Sequence, residues 1–417
     1  MNTNRKGQPR VVVTGLGALT SLGAVEPFWE NLKAGNSGIR RTSLFDPKDL
    51  QVQIAGEVDF EPGEYIDRKT ARRMSRASQV ALIAARMALE DSGMSQEAVA
   101  AEGDRVGVSI GTANAGFGTL VDISYQYTYH GRKPFPTSLI NGLPNMPGYY
   151  VSLEMGATGP LMTISTACAS GTQSIGYGTD LIHLGKADMV FAGGVDCLVR
   201  EEVIVAFDTM TVLVRSSNGF PGKASRPFDS NREGFVLGEG AGFLVLESLD
   251  HALKRDAHIY AEVLGHAASS DAQHIAAPDE ERLGAQKAMR WALEDAHLMP
   301  EQVDYINAHG TGTRVNDPTE TRAIKRVFGK SAYQIPISST KSMIGHCMGA
   351  SGSLEAIACV KSLQEGVLHP TINLETPDPE CDLDYVPNES REANIQIALS
   401  NSFGLGGQNA CLVLGRI

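Results

Sequence analysis

One order of elements is written twice along this chain, and that repetition limits its fold more than any other feature. In the first half the runs VVVTGLG, RVGVSIGTA, LMTISTA, ADMVFAGG and GFLVLESL are short, β-rich and bounded by glycine. They alternate with helical stretches such as ASQVALIAARMALEDSG, which ends on a glycine stop. In the second half IYAEVLGHAASS opens the series and EERLGAQKAMRWALEDAHL supplies a helix. VDYINAHGTGT then answers RVGVSIGTA, and IPISSTKSMIGHCMGASGSLEAIACVKSL answers LMTISTACASGTQSIGYGTDLIHLG. IQIALSNSFGLGG and NACLVLGRI close the chain as paired strands. Identity between the halves is weak, so the order of elements carries the argument. The alternation predicts an α/β protein of two duplicated halves, residues 1–256 and 257–417. No Pro/Ser-rich linker lies at the joint, so the halves are expected to share one core.

The formal net charge of −12, with no long basic run, argues against general nucleic-acid binding. The six cysteines form no CxxC pair, and their spacing fits neither a zinc site nor a disulfide framework. A reducing compartment follows. The start, MNTNRKGQPRVVVTGLGALTSLGAV, is basic and then apolar like a signal peptide, but its Gly and Thr interruptions read better as a buried strand entering a turn. No apolar run approaches a membrane span, and a cytoplasmic protein is expected.

Chemistry concentrates where strands end. Cys168, in ISTACASGTQS, follows a strand and precedes a helix among small residues. A helix N-terminus favours a thiolate, so Cys168 is a candidate nucleophile; a small buried packing residue is the competing reading. NAHGTGT places His309 at a second strand end, and STKSMIGHCMGASG places Lys341 and His346 at a third, with Gly345 allowing a bend between them. Either histidine alone reads as structural, but one cysteine and two histidines at strand ends of an α/β sheet fit a ligand site.

Together TACASGTQSIG, RPFDSNREGFVLGEGAG, NAHGTGTRVNDPTETRAI, SSTKSMIGHCMGASGSLEAI and SNSFGLGGQN resemble the β-ketoacyl-[acyl-carrier-protein] synthases, closest to the class II enzymes among the thiolase-like condensing enzymes. The resemblance runs from about Val11 to the C-terminus. It implies a duplicated five-layered α-β-α-β-α fold, usually a homodimer. It also implies acyl transfer to Cys168 and decarboxylative Claisen condensation with a malonyl-carrier protein, without metal or other cofactor.

Residue by residue, the resemblance makes His309 and His346 the enolate's hydrogen-bond donors and Lys341 an electrostatic, orienting group. Asp317 and Glu320 become supporting acids, and the backbone N–H groups of Cys168 and Leu405 an oxyanion hole. Thr311 and Thr313 would hold the pantetheine arm, while Asn114, Phe403 and Leu405 would line the acyl pocket. Lys69, Arg72, Arg73, Arg132 and Lys133 fall at carrier-docking positions. Some relatives hold a structural cation at positions matching Asn307, Glu355, Ser400 and Asn401, although nothing in the sequence demands one. The chain departs from the pattern at Leu405 (a gating phenylalanine in relatives), Asn114 (an isoleucine bounding the tunnel), Thr137 and Ser138 (a Phe-Phe dimer contact) and Thr211 (a docking arginine, for which Arg215 would compensate). Fatty-acid elongation or a specialised polyketide, polyene or aryl-chain pathway would use such an enzyme. A chain-length-type partner subunit of a heterodimeric ketosynthase and a coenzyme A thiolase-like enzyme are the alternatives. The first typically lacks the cysteine, and the second normally uses two cysteines and one histidine.

Overall fold

The structure is a computed structural model and describes residues 2–277, 279 and 281–417. Its main sheet has ten strands: β1 (Val11–Leu19), β2 (Val106–Gly111), β3 (Leu161–Ile164), β4 (Met189–Asp196), β5 (Gly240–Ser248), β6 (Ala261–Ser270), β7 (Tyr305–Asn307), β8 (Ile337–Ser338), β9 (Ile397–Gly404) and β10 (Gln408–Gly415). The spatial order is β8-β7-β9-β10-β6-β1-β5-β4-β2-β3. Outward from the β1/β6 seam, the first five strands run 1-5-4-2-3 and the second five 6-10-9-7-8, the same permutation. Strand directions repeat as well. The two pairs nearest the seam in each half are antiparallel and the two outer pairs parallel. Among the described strands, Val11–Val13 pairs with Ala261–Val263 to join the halves.

Parallel neighbours need crossover connections, and helices provide most of them. Those used below are α1 (Arg76–Asp91), α2 (Phe117–His130), α3 (Ser170–His183), α4 (Leu283–Asp295), α5 (Asn316–Phe328) and α6 (Ser351–Glu365). Helices α3 and α6 lie between the two half-sheets, where Ile175, Leu181, Leu354 and Ile357 pack with the inner faces of both. Helix α1 covers the outer face of the first half through Val80 and Ile83. Helices α4 and α5 cover the second through Met289 and Ile324. The layers are α-β-α-β-α.

The sequence explains the closeness of these layers. All nine residues of β1 are buried, and a Cβ at Gly17 would sit 2.0 Å from the Ala84 carbonyl oxygen, so α1 rests on the strand main chain. Ser75 caps α1 by accepting from the Ser78 N–H (3.1 Å), and Gly93, at φ +72°, completes the expected stop. Strands β7 and β8 are shorter than the sequence runs suggest, because the chain beyond Asn307 turns into the site through Gly310 (φ +39°) and Gly312 (φ +78°).

Candidate active site

The turn Ser165–Ala169 carries Cys168 from the end of β3 toward α3, with Ala167 in the left-handed region at φ +50°. A non-glycine residue there is strained, a common mark of a functional turn. Ser170 Oγ accepts from the Thr166 N–H (2.8 Å) and donates to the Ala167 carbonyl (2.7 Å), bracing the turn. Cys168 Sγ lies 3.0 Å from His346 Nε2, and the nearest side-chain donor atoms of Cys168, His309 and His346 lie within 4.8 Å of one another. One expectation is corrected here. The helix does not leave Cys168 a ready thiolate, since burial pushes its thiol up to about 11. The Lys341 charge and the Leu405 backbone N–H offset only part of that rise.

His309 follows β7. Its own N–H and that of Gly310 donate to the two carboxylate oxygens of Glu320 (2.8 and 2.9 Å), which fixes the turn. The rings of His309 and His346 meet edge to face, with centroids 5.4 Å apart. Gly345, at φ +74°, makes the bend that turns His346 inward, and the His346 N–H donates to the Val236 carbonyl (2.7 Å). His346 Nδ1 lies 2.9 Å from Ser351 Oγ, at the start of α6. Burial holds both imidazoles well below their usual range, and the Lys341 charge adds to this, so both are neutral near pH 7.

Lys341 is buried and ion-paired with Glu355. Burial pushes the Glu355 carboxyl up to about 7 against the pull of Lys341. Asp317 accepts from the backbone N–H groups of Phe228 (2.8 Å) and Gly312 (3.2 Å), and burial pushes it up to about 6. Asn307 Oδ1, Glu355 Oε2 and Ser400 Oγ are buried without hydrogen-bond partners. Ser400 pairs with Asn307 in register, and such hard oxygens fit a cation. Asn401 Oδ1 is likewise buried without a partner, but on the other side of the strand. Strand alternation turns its side chain to the opposite face, where Nδ2 contacts Met289 Sδ (3.5 Å).

A cavity of about 850 Å³ reaches Cys168, His309 and His346, and Thr311, Thr313, Phe403 and Leu405 also line it. The two threonine hydroxyls lie 3.0 Å apart. A Cβ at Gly404 would meet the Thr166 carbonyl oxygen at 2.8 Å and the Cys168 nitrogen at 3.1 Å. Only glycine lets this loop approach the nucleophile so closely. Asn114 is placed elsewhere within the single chain. It is exposed and not part of the cavity lining, on a turn fixed by its N–H to Asp196 (3.1 Å).

Lys69, Arg72, Arg73, Arg132 and Lys133 are exposed. A short helix, Arg68–Ala71, ends before Arg72, and Arg76 is tied to Glu239 (2.5 Å). Thr211 and Arg215 line the cavity, but Arg215 is held by Asp208 (2.6 Å).

Sequence reasoning missed three polar residues. Asp196 accepts from the Thr112 hydroxyl and the N–H groups of Ala113, Asn114 and Gly349, joining the two halves beside the nucleophile. Ser351 partners His346, and Arg282 lines the cavity. The signal for Asp196 is a carboxylate ending an otherwise apolar strand, ADMVFAGGVD.

Residues 8–252 match the family model for the β-ketoacyl synthase N-terminal domain, and residues 260–375 that for the β-ketoacyl synthase C-terminal domain. The chain is 45% identical to a 3-oxoacyl-[acyl-carrier-protein] synthase 2 of Coxiella burnetii, covering 98% of this chain and 99% of that protein. It is 44% identical to the tetracenomycin polyketide synthase ketoacyl synthase alpha subunit of Streptomyces glaucescens, over 99% of this chain and 98% of the relative. The solved ishigamide ketosynthase/chain length factor superposes with a TM-score of 0.91 at 39% identity, covering 98% of this chain and all of that one.

Proposed function

This chain belongs to the β-ketoacyl synthase family and is an acyl-transferring condensing enzyme of fatty-acid or polyketide synthesis; from that premise we propose how its own residues divide the work. The contact between Cys168 Sγ and His346 Nε2, with His309 in the same cavity, carries the proposal. As Sγ attacks an acyl thioester on a carrier protein, its proton passes to His346 Nε2 and then to the departing pantetheine sulfur. The acyl group remains on Cys168. Backbone N–H groups of Cys168 and Leu405 receive the oxyanion.

Malonyl-carrier protein then loses carbon dioxide, and the enolate oxygen accepts from the neutral imidazoles of His309 and His346. The enolate carbon attacks the acyl carbonyl, Sγ leaves and takes up a proton, and a 3-oxoacyl-carrier product forms. His346 must first accept a proton and later donate one. Ser351 allows both tautomers, because a hydroxyl can either receive from or donate to Nδ1. Burial, with the Lys341 charge adding to it, holds the imidazoles neutral, and Asp317 and Glu320 hold the turns that carry His309.

Carrier proteins would dock on Lys69, Arg72, Arg73, Arg132 and Lys133, and Thr311 and Thr313 would steady the pantetheine. Strand β3 ends the sheet with Leu161 and Met162 exposed, and α2 buries no residue, leaving Tyr127 and Tyr129 exposed. That apolar edge suits a second copy or a related ketosynthase-like chain, extending the sheet. Asn114 could meet the acyl chain only in such a pair. We place the division of the halves between residues 256 and 257, between β5 and β6. Among the described residues no helix is long and apolar enough to cross a membrane, and all six cysteines are free, in keeping with a cytoplasmic enzyme.

Reconstitution with acyl- and malonyl-carrier protein tests the proposal. Mass spectrometry should find the acyl group on Cys168 and a 3-oxoacyl product carrying two more carbons. Product formed without acylation of Cys168 would overturn it.

A further inference from the structure

Arg282 departs from two rules at once. It stands in the left-handed region at φ +51°, where glycine is the usual residue, and its guanidinium is buried, 5% of the residue being exposed. It precedes α4 and lines the cavity that holds Cys168. Backbone strain and a buried cation persist together only where the surroundings fix them.

The surroundings run to His309 along two routes. By the polar route, Arg282 Nη2 donates to Asn316 Oδ1 (2.6 Å), Asn316 Nδ2 donates to Glu320 Oε2 (3.2 Å), and Glu320 Oε1 accepts from the His309 N–H (2.8 Å). Arg282 Nε donates to Thr319 Oγ1 (3.0 Å), which keeps the guanidinium plane in place. By the aromatic route, the guanidinium lies over the Phe403 ring at 5.2 Å, and Phe403 lies 5.7 Å from the His309 ring.

We propose that Arg282 is a positioning residue for decarboxylation, setting the backbone of His309 through Asn316 and Glu320 and its ring through Phe403. The inference rests on the reading of His309 given above. The charged and titratable groups facing His309 are Lys341, His346, Cys168, Glu320 and Arg282, and the two cations both oppose its protonation. Neither route includes a contact to Cys168 itself, so acyl transfer should depend on Arg282 less than decarboxylation does.

The test separates the two half-reactions in Arg282→Gln, Arg282→Lys and Arg282→Gly, the last suited to the backbone. Acylation of Cys168 is read by mass spectrometry and malonyl-carrier decarboxylation by carbon dioxide release. In the Gln and Gly variants decarboxylation should fall on the order of tenfold to a hundredfold while acylation stays near wild type. Lys should recover part of the rate. Adding Asn316→Ala to Arg282→Gln should cost little more, since the two act in one chain. Equal losses in both half-reactions, or decarboxylation unchanged in all three variants, would overturn the inference. A wild-type enzyme unable to decarboxylate malonyl-carrier protein would instead overturn the reading beneath it.

Discussion

His346 Nε2 lies 3.0 Å from Cys168 Sγ, in a cavity that keeps thiol and imidazole neutral together. The nucleophile is therefore activated during attack rather than before it. Iodoacetamide should label Cys168 ahead of the other five cysteines, because it lines the open cavity. The rate should keep climbing as pH rises toward about 11, where burial has moved the thiol. A rate already level at pH 7, followed by mass spectrometry, would mean a preformed thiolate.

Glu320 holds His309 by its backbone, so its substitution tests the turn without touching the ring. Glu320→Gln turns an N–H toward backbone donors and should cost about 1–3 kcal/mol of stability. Decarboxylation should fall more steeply than acylation of Cys168. Chemical denaturation and the two half-reaction assays check each part; equal kinetic losses would deny Glu320 a role specific to His309.

How much of this was legible beforehand depended on local signals. The duplicated order of strands and helices was readable because each glycine-bounded run carries its own period, and the correspondence of β1–β5 with β6–β10 needs only that order. Cys168, His309 and His346 stood out as reactive residue types at strand ends. The ionisation of Cys168 was not legible, since the sequence shows the helix that follows but not the burial that outweighs it. The resemblance grouped Asn401 with Ser400, whereas the side chains of neighbours on a strand face opposite ways. Arg282 was silent because its partners Asn316, Thr319 and Phe403 lie far along the chain.

Asp196 makes stability depend on pH in a direction opposite to an ion-paired acid. Burial pushes its folded-state carboxyl up to about 6, above the ordinary value of about 3.9. The folded chain then holds this proton more tightly than the unfolded chain. Its contribution is fully present below about pH 4, is lost as pH rises to about 6, and is level beyond, on the order of 3 kcal/mol across the window. Asp196→Asn should remove that part of the slope. Denaturant unfolding of both proteins at pH 4.5, 5.5 and 7 measures it, and parallel curves would show that Asp196 carries no such linkage.

Arg72 and Arg73 are exposed and make no ion pair among the described residues, so they are available to an acidic partner. Reversing both charges should raise the KM for a carrier-bound substrate on the order of tenfold and flatten its salt dependence. A small pantetheine thioester should be used as before. Equal impairment with both substrates would point to damage to the fold rather than to lost docking.

Gly404 tests whether the C-terminal loop must touch the nucleophile's turn. It is not at positive φ, so alanine brings no backbone strain there; what it brings is a methyl group 2.8 Å from the Thr166 carbonyl oxygen and 3.1 Å from the Cys168 nitrogen. Both neighbours are main chain and cannot rotate away. The loop must therefore withdraw, and the Leu405 N–H withdraws with it from Sγ and from the place where the oxyanion forms. Gly404→Ala should lower acylation of Cys168 on the order of a hundredfold, the cost of one oxyanion donor. Decarboxylation should suffer less, because His309 and His346 are held by Glu320, Val236 and Ser351 rather than by this loop. Single-turnover acylation followed by mass spectrometry reads the first effect and carbon dioxide release the second. A variant that acylates at the wild-type rate would show that the loop adapts and that its N–H is not the oxyanion donor.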